Sequence, residues 1–465
     1  MFSKNVFILF FLIIIFSQIS ALIIPLYDTK NLFNSSSVIE IIDFFKNNKK
    51  YSYIEIGRPS QKFQIIFEST GAINSIKGEN PFSDSFYNIN ISKTVQFYYE
   101  LNEVKYFYVK DLISFDNSYQ NLLMTFLYYN STINQDKNYG IIGLAYTNDY
   151  EEEYNLIFQL KKLNAINKAI FYFNFTNDNQ VFLNIGSEPY EIDNSYSQNA
   201  TFLEIDPILD YELKQGKYRK YNWNLNFSKI FYFRKLPLQT NIDPYVEISR
   251  KKTRKVNYYQ ALLIPEEELI KGPFEYQEAI EENFFEKLIS DNICTKMTFE
   301  NKYYYFCKKE YKGLIKNTFP SIYFYQPDIN YMFELTYDDL FFEKGDYLFF
   351  GIYFDRFQIE VFMGAFISEW NFGKIFLRKY CFVFDMENHK LLFYKKKKIE
   401  KKKSKSEEKK NVDENKNNKK IYQLGLILVV ITIGAFAFII DRFTRKKYKV
   451  NNLLIDFENP QVEKL

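Results

Sequence analysis

The chain has one histidine and three cysteines in 465 residues, and almost no net charge. The lone His389 sits in DMENHKL, which reads as an exposed turn with no nucleophile placed near it. Ser-His and Cys-His catalysis therefore have no base to work with. The cysteine spacing suits no zinc site, and no cofactor is expected. Lys plus Arg number 60 against 57 acids, for a net +3. One segment, residues 395–420, carries 13 Lys against 5 acids, so the remainder is net negative and no nucleic-acid partner is expected.

What the chain has in quantity is apolar and aromatic surface, at 47% and 20% of residues. That is enough for two sizeable cores. Residues 1–21 read as a signal peptide: Lys4, an apolar run from Val6 to Phe16, then Ser20 and Ala21. A second apolar run without charge, residues 421–440, has the length of a membrane-spanning helix, and Arg442, Arg445, Lys446 and Lys447 follow it. The expected arrangement is a single-pass type I protein of the secretory pathway, at the cell surface or an endolysosomal membrane. Residues 395–420 form a solvated stalk and residues 441–465 a cytoplasmic tail. Within the tail, Leu453-Leu454 hints at a sorting motif. Six N-x-S/T sequons, at Asn34, Asn90, Asn130, Asn174, Asn199 and Asn226, all fall in the expected luminal part. Cys294 and Cys307 bracket TKMTFENKYYYF, a hairpin pattern suited to a cross-strand disulfide, and Cys381 is left as a buried thiol.

From Tyr51 to Tyr394 the pattern is short strands rich in β-branched and aromatic residues, among them YSYIEIG, KFQIIF, AIFYFNF, YLFFGIYF and KYCFVFDMENHKLLFY. Helical spacing is confined to YEEEYNLIFQLKKLNAI and PFEYQEAIEENFFEKLIS. The expected fold class is all-β in two domains.

Six segments, in order, carry a resemblance. YSYIEIGRPSQKFQIIF resembles IGTPPQ-F-V-FDTGS, and NYGIIGLAYTN resembles DGILGLAY. A helix and strand follow in NLIFQLKKLNAINKAIFYFNF, and VFLNIGSEP resembles a Gly-Gly turn. TFPSIYFYQPDINYMFELTYDDLF and WNFGKIFLRKYCFVFDMENHKLLF complete the series. Together these resemble the pepsin-like aspartic proteases over about 340 residues. The resemblance implies a bilobal fold of two β-barrel-like lobes, residues 49–195 and 196–394, after a short N-terminal segment, residues 22–48. Cleavage of the basic insert RKKTRK, residues 250–255, is a further option.

The family cuts peptides with two aspartates, one per lobe, that share a proton across a bound water. Here neither position keeps its aspartate. IIFESTGAIN places Ser69, or Glu68 with one extra residue, at the first site. ALLIPEEELIKGP places Ile264 at the second, with Pro265 and Glu266 replacing the threonine and glycine beside it. Tyr99 falls on the flap tyrosine, flanked by Glu100, Leu101 and Asn102 instead of glycines, and Ile76 replaces the supporting tryptophan. Glu266, Glu267 and Glu268 are expected to be solvated and turned away from the first loop. The resemblance thus implies an inactive relative that binds an extended peptide or protein in the interlobe cleft. The alternatives are an active membrane-bound endopeptidase with a non-standard pair, and a structural surface glycoprotein.

Overall fold

The structure is a computed structural model that describes residues 21–28, 37–69, 74–77, 88, 91–94, 97–101, 106–115, 119–129, 140–147, 154–176, 180–205, 208–209, 219–221, 223–233, 245–248, 259–355, 360–362, 365–367 and 369–397. The N-terminal apolar run, the stalk, residues 421–440, the tail, the RKKTRK insert and the sequons at Asn34, Asn90 and Asn130 lie outside the described residues. Among the described residues no helix is long and apolar enough to cross a membrane.

The described body is mainly β. Strand β1 (Leu22–Asp28) and helix α1 (Val38–Asn47) precede the barrel strands β2 (Lys50–Ile56) and β3 (Gln61–Glu68). These are followed by β4 (Ser75–Lys77), the edge strand β5 (Phe97–Leu101), β6 (Tyr106–Phe115), β7 (Tyr119–Tyr129) and β8 (Gly140–Gly143). Burial along β2 alternates, with Ser52, Ile54 and Ile56 inward and Tyr51, Tyr53 and Glu55 outward, as one solvated face requires. The order β2–β3–β8–β4–β7–β6 closes on itself through the β2–β6 pairing, giving a six-stranded barrel. Ile54, Ile65, Val109 and Phe126 fill it. Closure removes the open edges that a short sheet would expose.

Helix α2 (Leu156–Lys162) forms where helical spacing was expected, and the Asn155 side chain caps it by accepting from Ile157 N. Next come β9 (Ile170–Phe175), β10 (Val181–Ile185) and β11 (Thr201–Glu204). They join a sheet whose remaining strands come from both ends of the chain. β1 pairs with β10, and β9 pairs with the penultimate strand (Cys381–Asp385), which in turn pairs with the last (Lys390–Tyr394). Trp223 plugs this region: its Nε1 donates to Leu144 O at 3.0 Å, and its ring packs edge-on against Phe384 at 5.1 Å.

The second half builds β12 (Asn224–Phe227), β13 (Tyr259–Leu263), β14 (Ile270–Pro273), β15 (Cys294–Phe299) and β16 (Lys302–Lys308). It continues with β17 (Phe341–Lys344), β18 (Tyr347–Phe350), β19 (Ile352–Asp355) and β20 (Glu369–Phe372). The sheet runs β12–β13–β20–β14–β19–β16–β18–β17, with β15 hairpinned onto β16. Cys294 and Cys307 face each other in that hairpin and form the disulfide. Cys381 is a buried free thiol, pushed up to about 12 by burial. The expected helix after Pro273 forms as turns over Gln277–Ile280, Glu281–Phe285 and Glu286–Ser290, burying Ile280, Phe284 and Phe285.

One pairing pattern occurs twice. β3 lies parallel to β8, while β4 runs antiparallel to β8 and parallel to β7. Likewise β13 lies parallel to β20, while β14 runs antiparallel to β20 and parallel to β19.

Candidate functional site

The two repeated units each hold a loop at their centre, after β3 and after β13. Their registers can be compared directly. Ile66 and Ser75 both face Ile141; Leu262 and Lys271 both face Asn371. The connecting spans are equally long, so Glu68 and Ile264 occupy corresponding points. Of the two first-loop candidates, Glu68 is therefore the topological counterpart of Ile264, and Ser69 is its neighbour.

Ser69 nevertheless makes the contact between the loops. Glu267 N donates to Ile264 O at 3.0 Å, closing a turn with Pro265 and Glu266 at its centre. Proline presets the backbone for that place in a turn. The turn swings the Glu266 side chain back toward β3. Ser69 N donates to Glu266 Oε1 at 3.1 Å, and Ser69 Oγ lies 3.1 and 3.0 Å from Oε1 and Oε2. Ser69 Oγ is also 3.2 Å from Leu263 O. Ser69 is 1% exposed. The expectation that Glu266 is solvated and points away is thus corrected. Two positions along a strand would alternate faces, but these two lie in a turn.

Glu266 is half-buried, with its remaining surface toward a cavity. Burial pushes its carboxyl up to about 8, against the pull of hydrogen bonds from its own backbone and from Ser69. Glu267 is also raised, first by burial, with Lys271 and Asn371 opposing. Its carbonyl accepts from Lys374 N at 2.7 Å. Gly373 permits this approach, because a Cβ there would lie 2.4 Å from Leu269 O and 2.5 Å from Glu267 O.

Beside Ser69 and Glu266 lies a cavity of about 300 Å³. Glu68, Ile264 and the three glutamates line one side, and Lys302, Tyr304 and Tyr353 another. The remaining wall is one face of α1 and the residues after it: Ile42, Phe45, Lys46 and Lys49. Residues 22–48, expected as a short leading segment, thus supply a strand of the central sheet and a wall of the cavity. Phe45 packs on Phe342 at 4.7 Å and Phe349 at 6.0 Å. Lys46 pairs with Glu300, and Lys49 Nζ is 3.6 Å from Glu68.

Behind this wall, buried Lys50 bonds to Asp28 and lies 3.3 Å from Glu268. Glu268 also meets Lys374 at 3.3 Å and Asn48 at 3.4 Å. Burial works against the charge on Lys50, but Glu268 and Asp28 outweigh it and hold the ammonium above its usual range. Lys374 is lowered, first by burial, with Glu268 opposing and Lys50 adding to the shift. No family model and no curated protein matches the chain. The site is therefore read from its own geometry.

The other expected residues fall as follows. Tyr99 lies in β5, opposite Tyr108 of β6, at the outer edge of the barrel sheet. Ile76 is buried in the barrel wall. His389 lies half-buried in the turn before the last strand. Asn199 is exposed before β11, Asn174 is half-buried in β9, and the Asn226 Oδ1 atom is buried in β12. Among the described residues no cluster of His, Cys, Asp and Glu is arranged to hold a metal ion.

Proposed function

We propose that the chain is a membrane-anchored, pepsin-like protein that has lost peptidase chemistry and acts by binding an extended peptide or protein between two lobes. The supporting observation is the pairing at the loop centre. Peptide hydrolysis by this route needs two carboxyls sharing a proton over one water. At corresponding points of the repeated unit the chain has Glu68 and Ile264, and the one carboxyl that enters the interloop contact, Glu266, meets a hydroxyl. Glu68 faces Lys49. A hydrocarbon can neither take a proton nor orient water, and losing half of an acid pair removes several orders of magnitude in rate. The doubled strand pattern supports the bilobal reading, and α1 sets one wall of the binding space.

Full-length protein incubated with a denatured protein substrate across acid and neutral pH tests this. The expected result is no cleavage above a buffer control, and no change with Glu68→Gln. Acid-dependent cleavage lost in Glu68→Gln or Glu266→Gln would establish the second reading, an endopeptidase with an altered pair. That reading draws on the enclosed carboxyl of Glu266.

A further inference from the structure

The N-x-S/T sequons are alike in sequence, and the fold separates those whose structure is described. Asn199 precedes β11 and is exposed, with its backbone N–H donating to Ser197 Oγ at 3.2 Å and Thr201 completing the motif at the start of the strand. Asn226 stands within β12 between buried Leu225 and Phe227, opposite Gln260, and its Oδ1 atom is buried. Its amide nitrogen is bonded to the same carbon as that oxygen, so a sugar there would displace packed sheet. Asn174 is half-buried in β9, opposite Phe182. The hydroxyl of its motif, Thr176 Oγ1, donates to Gln180 O at 3.2 Å. Among the described sequons only Asn199 is exposed.

The strand after Asn199 has an open side. β11 pairs with the strand Lys390–Tyr394, from Thr201 opposite Phe393 to Glu204 opposite Lys390. Among the described residues no strand pairs with its other side. A free edge presents N–H and C=O groups to any strand that reaches it, and unpaired charge is one of the usual guards. The one acid of β11, Glu204, is paired with Lys390 at 3.1 Å. Phe202 is 62% exposed, the highest of any large apolar side chain among the described residues. At about 3.3 Å per residue, Asn199 and Phe202 lie within about 10 Å of each other, so a branched oligosaccharide on Asn199 reaches Phe202 and the open edge.

We propose that Asn199 carries an N-linked oligosaccharide that covers the free edge of β11 and keeps it from pairing with a second copy of the chain. Modification requires a luminal body, and so rests on the membrane-anchored reading above. The donor is a lipid-diphosphate-linked oligosaccharide. The Asn199 amide nitrogen forms a bond to the anomeric carbon and loses one proton to a base of the transferase. The carbon–oxygen bond to the diphosphate breaks, and its electron pair leaves on that oxygen. Asn226 stays unmodified in the folded protein.

The test uses full-length protein from the membranes of a eukaryotic host cell, freed of its glycans by an amidase in heavy-oxygen water. Each occupied asparagine becomes an acid carrying the heavy oxygen, and peptide masses locate it. The expected result is label at Asn199 and none at Asn226. Label at any other sequon without Asn199 overturns the assignment alone, whereas no label at any sequon overturns it together with the luminal reading. Sedimentation in detergent reads the covering role. Asn199→Gln is expected to shift to a heavier species than wild type as concentration rises, and Phe202→Lys in the same chain to reverse the shift. An Asn199→Gln variant that sediments as wild type overturns that role.

Discussion

Glu266 and Glu268 stand two positions apart in one loop under opposite electrostatic demands. Among the described residues no lysine or arginine pairs with Glu266, and burial raises its carboxyl. Glu268 sits between two buried ammonium groups that have few other counter-charges. Neutralising each should therefore act with opposite sign. Glu266→Gln is expected to stabilise the fold at neutral pH by on the order of 3 kcal/mol, with the gain vanishing in acid. Glu268→Gln is expected to destabilise it by about 3 kcal/mol, since it strands Lys374 and leaves Lys50 with Asp28 alone. Denaturant midpoints of both variants at one neutral pH decide the signs. The sequence left Ser69 and Glu68 as alternatives at the first loop and placed Ile264 at the second; the strand register makes Glu68 the counterpart of Ile264. The return of Glu266 toward Ser69 was not legible in the sequence. It depends on a turn at Pro265, where strand alternation ceases to apply, and on a contact 197 positions apart in sequence.

At the scale of elements, α1 is the piece whose position controls the cavity. Its one apolar face, with Ile41, Ile42 and Phe45, docks it to the body, while Lys46 and Lys49 fasten its end. Phe45 is only partly buried, so Phe45→Ala should cost about 2 kcal/mol or less. The loss should be local: faster amide exchange over residues 38–47, with the barrel strands unchanged. Faster exchange throughout would show that α1 belongs to the cooperative core. Gly373→Ala, by contrast, forces the loop after β13 off the start of the helix Lys374–Lys379, and is expected to destabilise the second half by about 2 kcal/mol through backbone displacement. Unfolding of the full-length variant reads that out. The strands quoted from the sequence and the helices at Leu156–Lys162 and after Pro273 were visible as periodicity, whereas β1 and helix α1 were not; a helix of ten residues owes its stability to the surface it docks on.

For the described body as a whole, the central sheet ties together strands from its start, middle and end. β1, β9 and β10 meet the strands Cys381–Asp385 and Lys390–Tyr394, and Phe384 stacks on Phe171 at 4.7 Å beneath Trp223. Substituting both Cys294 and Cys307 by serine should cost about 3 kcal/mol, since the disulfide closes only a short loop, and unfolding should stay cooperative. The mainly β class was legible in the strand pattern, whereas the doubled pairing around β3 and β13 and the cross-pairing of distant strands could not be read from local pattern. The central claim is that this doubled scaffold holds one enclosed carboxyl against a serine where peptide hydrolysis needs two acids. Calorimetric titration of the full-length protein with a statine-type inhibitor at acid pH tests it most directly, because the inhibitor's hydroxyl takes the place of the water between paired acids. The account predicts that any binding is the same in wild type, Glu266→Gln and Glu68→Gln. Stoichiometric binding that disappears in Glu266→Gln or Glu68→Gln would contradict it.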